Sequence, residues 1–85
     1  MLRVSVISPE RMVFDGEATS VVAPAFDGEV GILTGHAPMM TLLGRGVLRI
    51  VREGEGTPQR YTITGGFLQV VDNAVRVVTE RAEAE

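Results

Sequence analysis

From Arg60 to Val78 the chain keeps a two-residue rhythm. Tyr61 and Ile63 alternate with Arg60, Thr62 and Thr64, and Gly65-Gly66 interrupts them. Phe67, Leu68, Val70 and Val71 then lead into Asp72-Asn73, and Val75, Val77 and Val78 follow. Side chains repeating with period two stand on opposite faces of a strand, and the interruptions are of the kinds that fold a chain back on itself. Thirteen valines among 85 residues reinforce the pattern, because a branched β-carbon loses freedom in a helix and packs well on a pleated surface. These features restrict the chain to an all-β sandwich or a small barrel.

The N-terminal half follows the same grammar less cleanly. Leu2, Val4 and Val6 read as a strand stopped by Ser8-Pro9-Glu10. Met12 and Phe14 precede Asp15-Gly16, a pair that makes either a tight turn or a bulge bending one long strand, and Thr19, Val21 and Val22 resume the extended pattern up to Pro24. Val30 and Ile32 form a short strand after the turn at Asp27-Gly28. His36-Ala37-Pro38 is irregular, since proline pushes its predecessor away from helical geometry. Met39 to Leu43 is apolar on both faces if extended, Met40 and Leu42 sharing one face and Met39 and Leu43 the other. Gly44-Arg45-Gly46 reads as a turn, Val47 to Val51 as a strand, and EGEGTP from Glu53 to Pro58 as a hairpin connection. The tail, TERAEAE from Thr79, holds good helix formers over too short a span, well under the ~12 residues an isolated helix needs. The expected organisation is one domain over residues 1–80 and a short frayed tail over 81–85.

A chain of this length buries roughly 60 to 65% of its unfolded surface, a modest core. With no cysteine, no disulfide or thiolate metal site supports it, so packing must, with or without a partner. Eight arginines against eleven acids give a net charge of −3, the opposite of the basic stripe that nucleic acid requires. Every apolar segment is interrupted well before the roughly 18 residues of a membrane-crossing helix, and no lipid insertion is expected.

His36 is the first candidate for proton transfer, being the only histidine. It stands without a neighbouring nucleophile or orienting acid in sequence, so a structural or interface role outweighs a hydrolytic one. Asp27 and Glu29 decorate an exposed turn. One histidine and loop carboxylates match neither zinc nor calcium spacing. Gly28, Gly31 and Gly35 lack both the Lys-Ser/Thr end of a P-loop and the GxGxxG fingerprint. They read as turn formers at a sandwich edge. No cofactor is expected. Glu29, at the tip of an acidic turn, is the leading electrostatic interface candidate, able to orient a basic partner more than to add bulk affinity.

Taken together, GEVGILTGHAPMMTLL from Gly28 to Leu43, SPERMVFDGEA before it, and GVLRIV and ITGGFLQVVDNAVRVVTE after it make the chain similar to the N-terminal domain of the F-type ATP synthase epsilon subunit, called delta in mitochondria. The resemblance implies a flattened β-sandwich of about ten short strands. It also implies a noncatalytic subunit at the foot of the central stalk of a proton-translocating complex, clamped to the gamma subunit and resting on the c ring. Such a subunit is peripheral on the cytoplasmic face of the bacterial inner membrane. By the same resemblance Glu29 faces the c ring, Ser8 and His36 lie close to gamma as exposed polar groups, and Met39 and Met40 lie near that contact.

Two departures from the family pattern stand out. Thr34 replaces the usual proline before the GHAP glycine, leaving that loop less rigid. The sequence ends at Glu85, where family members continue into two helices, so an inhibitory helical arm is not expected. The alternative reading is a general β-sandwich adaptor for some other protein. A small hydrolase using His36 ranks third.

Overall fold

A computed structural model describes all residues 1–85. Ten strands follow in chain order: β1 (Leu2–Ile7), β2 (Met12–Ala18), β3 (Ser20–Ala25), β4 (Gly28–Leu33), β5 (Met39–Leu42), β6 (Arg45–Val51), β7 (Gln59–Thr64), β8 (Phe67–Val71), β9 (Ala74–Val78) and β10 (Arg81–Ala84). They form two five-stranded sheets, one ordered β2-β1-β9-β8-β5 and the other β10-β7-β6-β3-β4. The expected all-β flattened sandwich is present. All neighbours are antiparallel except β1 and β9, which run parallel from Arg3↔Ala74 to Ile7↔Val78.

The core is the alternation made physical. Leu2, Val4, Val6, Leu68, Val70, Val75 and Val77 from the first sheet meet Val21, Ile32, Leu48, Ile50 and Ile63 from the second, nearly all inaccessible to solvent. Each is one of an i, i+2 set, so burial of one member fixes the face of its whole strand.

Five connections pass from one sheet to the other: β2–β3, β4–β5, β5–β6, β7–β8 and β9–β10. Three of them meet at one corner. The Leu43 amide donates to the Gly66 carbonyl at 2.9 Å, the Gly65 amide to Gly44 at 3.2 Å, and the Gly44 amide to Pro24 at 2.8 Å. Thr79, buried, directs its hydroxyl to the Gly65 carbonyl at 2.9 Å while its amide bonds Ile7 at 2.9 Å. Gly66 has φ +104°, and a β-carbon there would fall 1.9 Å from the Val78 carbonyl oxygen. Glycine is required for both reasons.

Asp15-Gly16 is neither turn nor bulge. It lies inside β2, Gly16 opposite Val4, and the ladder's only register shift is at Val6/Ile7. The glycine serves packing: the Phe14 ring lies 3.4 Å from where its β-carbon would stand, the close approach that a strand glycine permits. Tyr61 meets that ring edge-on at 6.5 Å, and the Arg52 guanidinium lies 5.8 Å from its centroid. Gly44-Arg45-Gly46 also differs from expectation, Arg45 and Gly46 belonging to β6.

The tail is a strand, which corrects the expectation of a frayed segment over 81–85. β10 pairs with β7, Ala82 opposite Ile63 and buried. Beyond it the Glu85 carboxylate accepts from Arg60 Nε at 2.9 Å and from the Thr62 hydroxyl at 2.8 Å. Helix propensity over two turns is weak, and the unpaired edge of β7 offers backbone bonds and a buried site for Ala82.

Two outcomes follow from these contacts. Gly66→Ala should lower stability by about 2–4 kcal/mol, whereas Gly31→Ala, with nothing within 4 Å of the new methyl group and ordinary φ, should change it by less than about 0.5 kcal/mol. Urea unfolding midpoints at unchanged slope measure both. The bonds from Arg60 and then Thr62 hold the Glu85 carboxyl below the usual glutamate range. A lowered folded-state pKa means that the clamp is fully present above the ordinary glutamate pKa and is lost as pH falls through the lowered one. A carboxyl NMR titration should therefore place the Glu85 midpoint below that of an unpaired glutamate, and Arg60→Ala should raise it toward the usual range, with the Thr62 bond still in place.

Candidate docking face

The β4–β5 segment lies along one edge of the sandwich, β4 as the outer strand of one sheet and β5 of the other. The Phe26 amide donates to the Leu42 carbonyl at 3.1 Å, and Ala25 bridges Leu43, stitching the two edge strands together. Between them the loop bearing His36 is held from outside. The Gly35 amide donates to Asn73 Oδ1 at 2.7 Å, and Asn73 belongs to the two-residue β8–β9 turn. Asp72 and Asn73 have φ 49° and 64°, the pair of positive values that a type I′ hairpin needs.

Four of the five residues expected at an interface lie along this edge, Glu29 toward its Leu42–Leu43 end and His36 at the other. Glu29 stands on the outer face of β4 with its side chain 56% exposed, joined to Arg49 on β6 at 3.1 Å. Val22 on β3 stands opposite Arg49 and Pro24 stands opposite Glu29, so the guanidinium spans β3 diagonally to reach the carboxylate. His36 is half-buried. Its Nδ1 lies 2.7 Å from the Ala37 carbonyl, and a carbonyl only accepts, so Nδ1 carries the proton and Nε2 is the free nitrogen. Met39 turns toward the core and Met40 outward at 64% exposure, resolving the two faces that sequence left open.

Ser8 differs from expectation. It is buried at 7%, its hydroxyl 3.3 Å from the Arg11 carbonyl and its amide and carbonyl both bonded to Arg11. The side chain closes the β1–β2 turn and is not an exposed polar contact. It also lies at the opposite end of the sheet from His36, beyond the end of β1 that aligns with Leu42, whereas His36 precedes the other end of β5.

Register reveals what sequence reasoning missed. On the outer face of the first sheet Leu42 pairs with Phe67, Phe67 with Val78, Val78 with Ile7, and Ile7 with Met12. One apolar row therefore crosses all five strands, half-buried at its centre and exposed at its ends, Leu42 at 64% and Met12 at 53%. Met40, also exposed, stands beside Leu42 on the same face of β5. The available signal was doubling: Val6-Ile7, Phe67-Leu68, Val70-Val71 and Val77-Val78 put apolar residues on both faces of strands that need only one for a core. A continuous apolar row on so small a domain marks a candidate interaction surface.

No three His, Asp or Glu side chains gather where a metal ion could sit, and neither a carboxylate nor a hydroxyl bonds the His36 ring. Fold and face together define a small all-β sandwich domain with a candidate docking face. The chain belongs to the family of the ATP synthase delta/epsilon chain β-sandwich domain, whose model matches residues 1–85. It is 44% identical over 82 residues to the ATP synthase epsilon chain of Synechococcus sp. (strain JA-2-3B'a(2-13)), covering 96% of this chain and 58% of that one. To the epsilon chain of Rhodopirellula baltica it is 48% identical over 81 residues, covering 95% and 62%. The chain thus spans about three fifths of the length of these relatives. Among solved structures, a chain of the Euglena gracilis mitochondrial ATP synthase superposes with a TM-score of 0.90 at 27% identity, over 98% of this chain and 52% of that chain.

The Asn73 tether is open to test. Asn73→Gly keeps a residue suited to positive φ and deletes the acceptor. Hydrogen exchange at the Gly35 amide should accelerate about fivefold, the loss of one exposed hydrogen bond of roughly 1 kcal/mol, while the β8–β9 ladder amides keep their protection.

Proposed function

We propose that this domain is a noncatalytic central-stalk component of a proton-translocating F-type ATP synthase, docking on the gamma subunit and the c ring so that rotation couples to ATP synthesis. The observation that carries the proposal is the apolar row from Leu42 to Met12, on a chain whose whole length matches the family. Such a face loses its exposed apolar surface only by docking. The position proposed for it, as part of that membrane-bound complex, is peripheral at the cytoplasmic face of the bacterial inner membrane.

Glu29 is the residue proposed to meet the c ring. Its bond to Arg49 is a surface ion pair, worth about 0–1 kcal/mol, weak enough for a basic loop of a partner to take over the carboxylate. Arg49 meanwhile restrains the direction of the side chain. His36, with Nε2 free, and Met40 are proposed contacts near gamma. Ser8 acts there only by shaping the β1–β2 turn.

Reconstituting the enzyme with and without this chain tests the function: without it, ATP made per proton translocated should fall, and unchanged coupling would refute the proposal. Glu29→Lys should weaken association with the c ring several-fold at low ionic strength, an effect that salt screens, while the isolated fold keeps its unfolding midpoint. Capture of an unrelated protein in place of gamma and the c ring would favour the adaptor reading of the same face.

A further inference from the structure

Arg76 stands in the middle of the docking face without a partner. Five of the eight arginines make ion pairs, Arg3, Arg49, Arg52, Arg60 and Arg81. Of the remaining three, Arg11 is in a turn and Arg45 belongs to the other sheet, which leaves Arg76 as the sole unpaired cation on this face. Its register neighbours are Gln69 on β8 and Ser5 on β1, and along β9 it lies between Ala74 and Val78, the latter in the apolar row. Gln69, Val71, Ala74 and Arg76 line an open depression of about 200 Å³. The acids of this face, Asp15 and Glu17, are on the edge strand β2, and Asp15 is held by Arg3 at 2.9 Å.

The spacing of the row describes what fits against it. Strands lie about 4.8 Å apart, so Leu42, Phe67, Val78, Ile7 and Met12 present side chains at that interval over roughly 19 Å. An α-helix presents a side-chain ridge about every 5.4 Å, close enough for a ridge of three to four turns to lie along the row. A strand added to the sheet edge would instead run perpendicular to the row and cover only one end of it.

We infer that the outer face of the β2-β1-β9-β8-β5 sheet receives an amphipathic helix of its partner, laid across the strands, with a carboxylate at the border of its apolar ridge seated on Arg76 in the Gln69–Ala74 depression. This inference rests on the docking reading above and adds the shape, direction and charge of what docks. The arginine sets the sliding position of the helix, because an apolar row alone leaves the helix free to shift by a turn. An uncompensated acid against Arg76 is favourable, whereas a basic group at the same point is repelled.

The test uses the complex with the gamma subunit of the same organism. Arg76→Glu should reduce affinity about tenfold or more at low salt, a loss that added salt relieves, and Arg76→Ala should reduce it to a lesser degree and remove most of the salt dependence of binding. Phe67→Ser should weaken binding at every salt concentration. Since the chain lacks cysteine, Leu42→Cys and Met12→Cys each supply a single thiol for cross-linking. The two should reach residues about 12–13 apart on one gamma helix, at 1.5 Å per residue. Full affinity and unaltered salt dependence in Arg76→Glu would overturn the carboxylate contact, and cross-links to strands or to separate elements would overturn the helix, even if Phe67→Ser weakens binding. Unchanged binding in Phe67→Ser as well would remove the docking face itself. A dimer of the isolated chain dispersed by Phe67→Ser would assign the face to a second copy and overturn the inference.

Discussion

The sandwich depends on one corner where backbone touches backbone. Gly66 lies so close to Val78 and Thr79 that no side chain fits between them, and around it the β5–β6, β7–β8 and β9–β10 crossings exchange hydrogen bonds. A domain this small has little apolar area to spare, and each crossing strips backbone groups of their ladder partners. Gathering three crossings at one point lets each satisfy the others. Thr79 completes the arrangement, its amide closing onto β1 and its hydroxyl onto the β7–β8 turn.

The docking edge inherits its order from the same economy. The β4–β5 loop, with its threonine where the family usually has proline, is fastened by Asn73 rather than by its own stiffness. Glu29 is aimed by an arginine two strands away. Both supports come from turns and faces remote in sequence from the residues they position. The candidate face is therefore built by the sheet registers and not by the GEVGILTGHAP segment alone.

What the sequence disclosed follows from which forces are local. Alternation made β1, β7, β8 and β9 readable, and the Asp72-Asn73 hairpin followed from side chains that tolerate positive φ. Gly16 misled because a glycine in a turn and a glycine beneath an aromatic ring look alike until the ring is placed. β10 was hidden because TERAEAE favours a helix locally, and only the free edge of β7 and the pocket for Ala82 override it. Glu29 as an exposed acid was legible from its turn. Which of Met39 and Met40 faces the core, and the apolar row across five strands, depend on strand pairings such as Met39 with Val70 and Ile7 with Val78 that no local pattern specifies, and the burial of Ser8 depends on how the β1–β2 turn closes on Arg11.

The parallel seam between β1 and β9 has a consequence for the order of assembly. Residues 3–7 find their inner neighbour only at residues 74–78, so during synthesis the β1–β2 hairpin must wait, with its inner edge unpaired, until nearly the whole segment has left the ribosome. Closing so long a loop slows folding relative to hairpins formed in passing. The β1–β2 and β8–β9 hairpins are expected to arise separately, and the seam is the step that commits the domain to its native state.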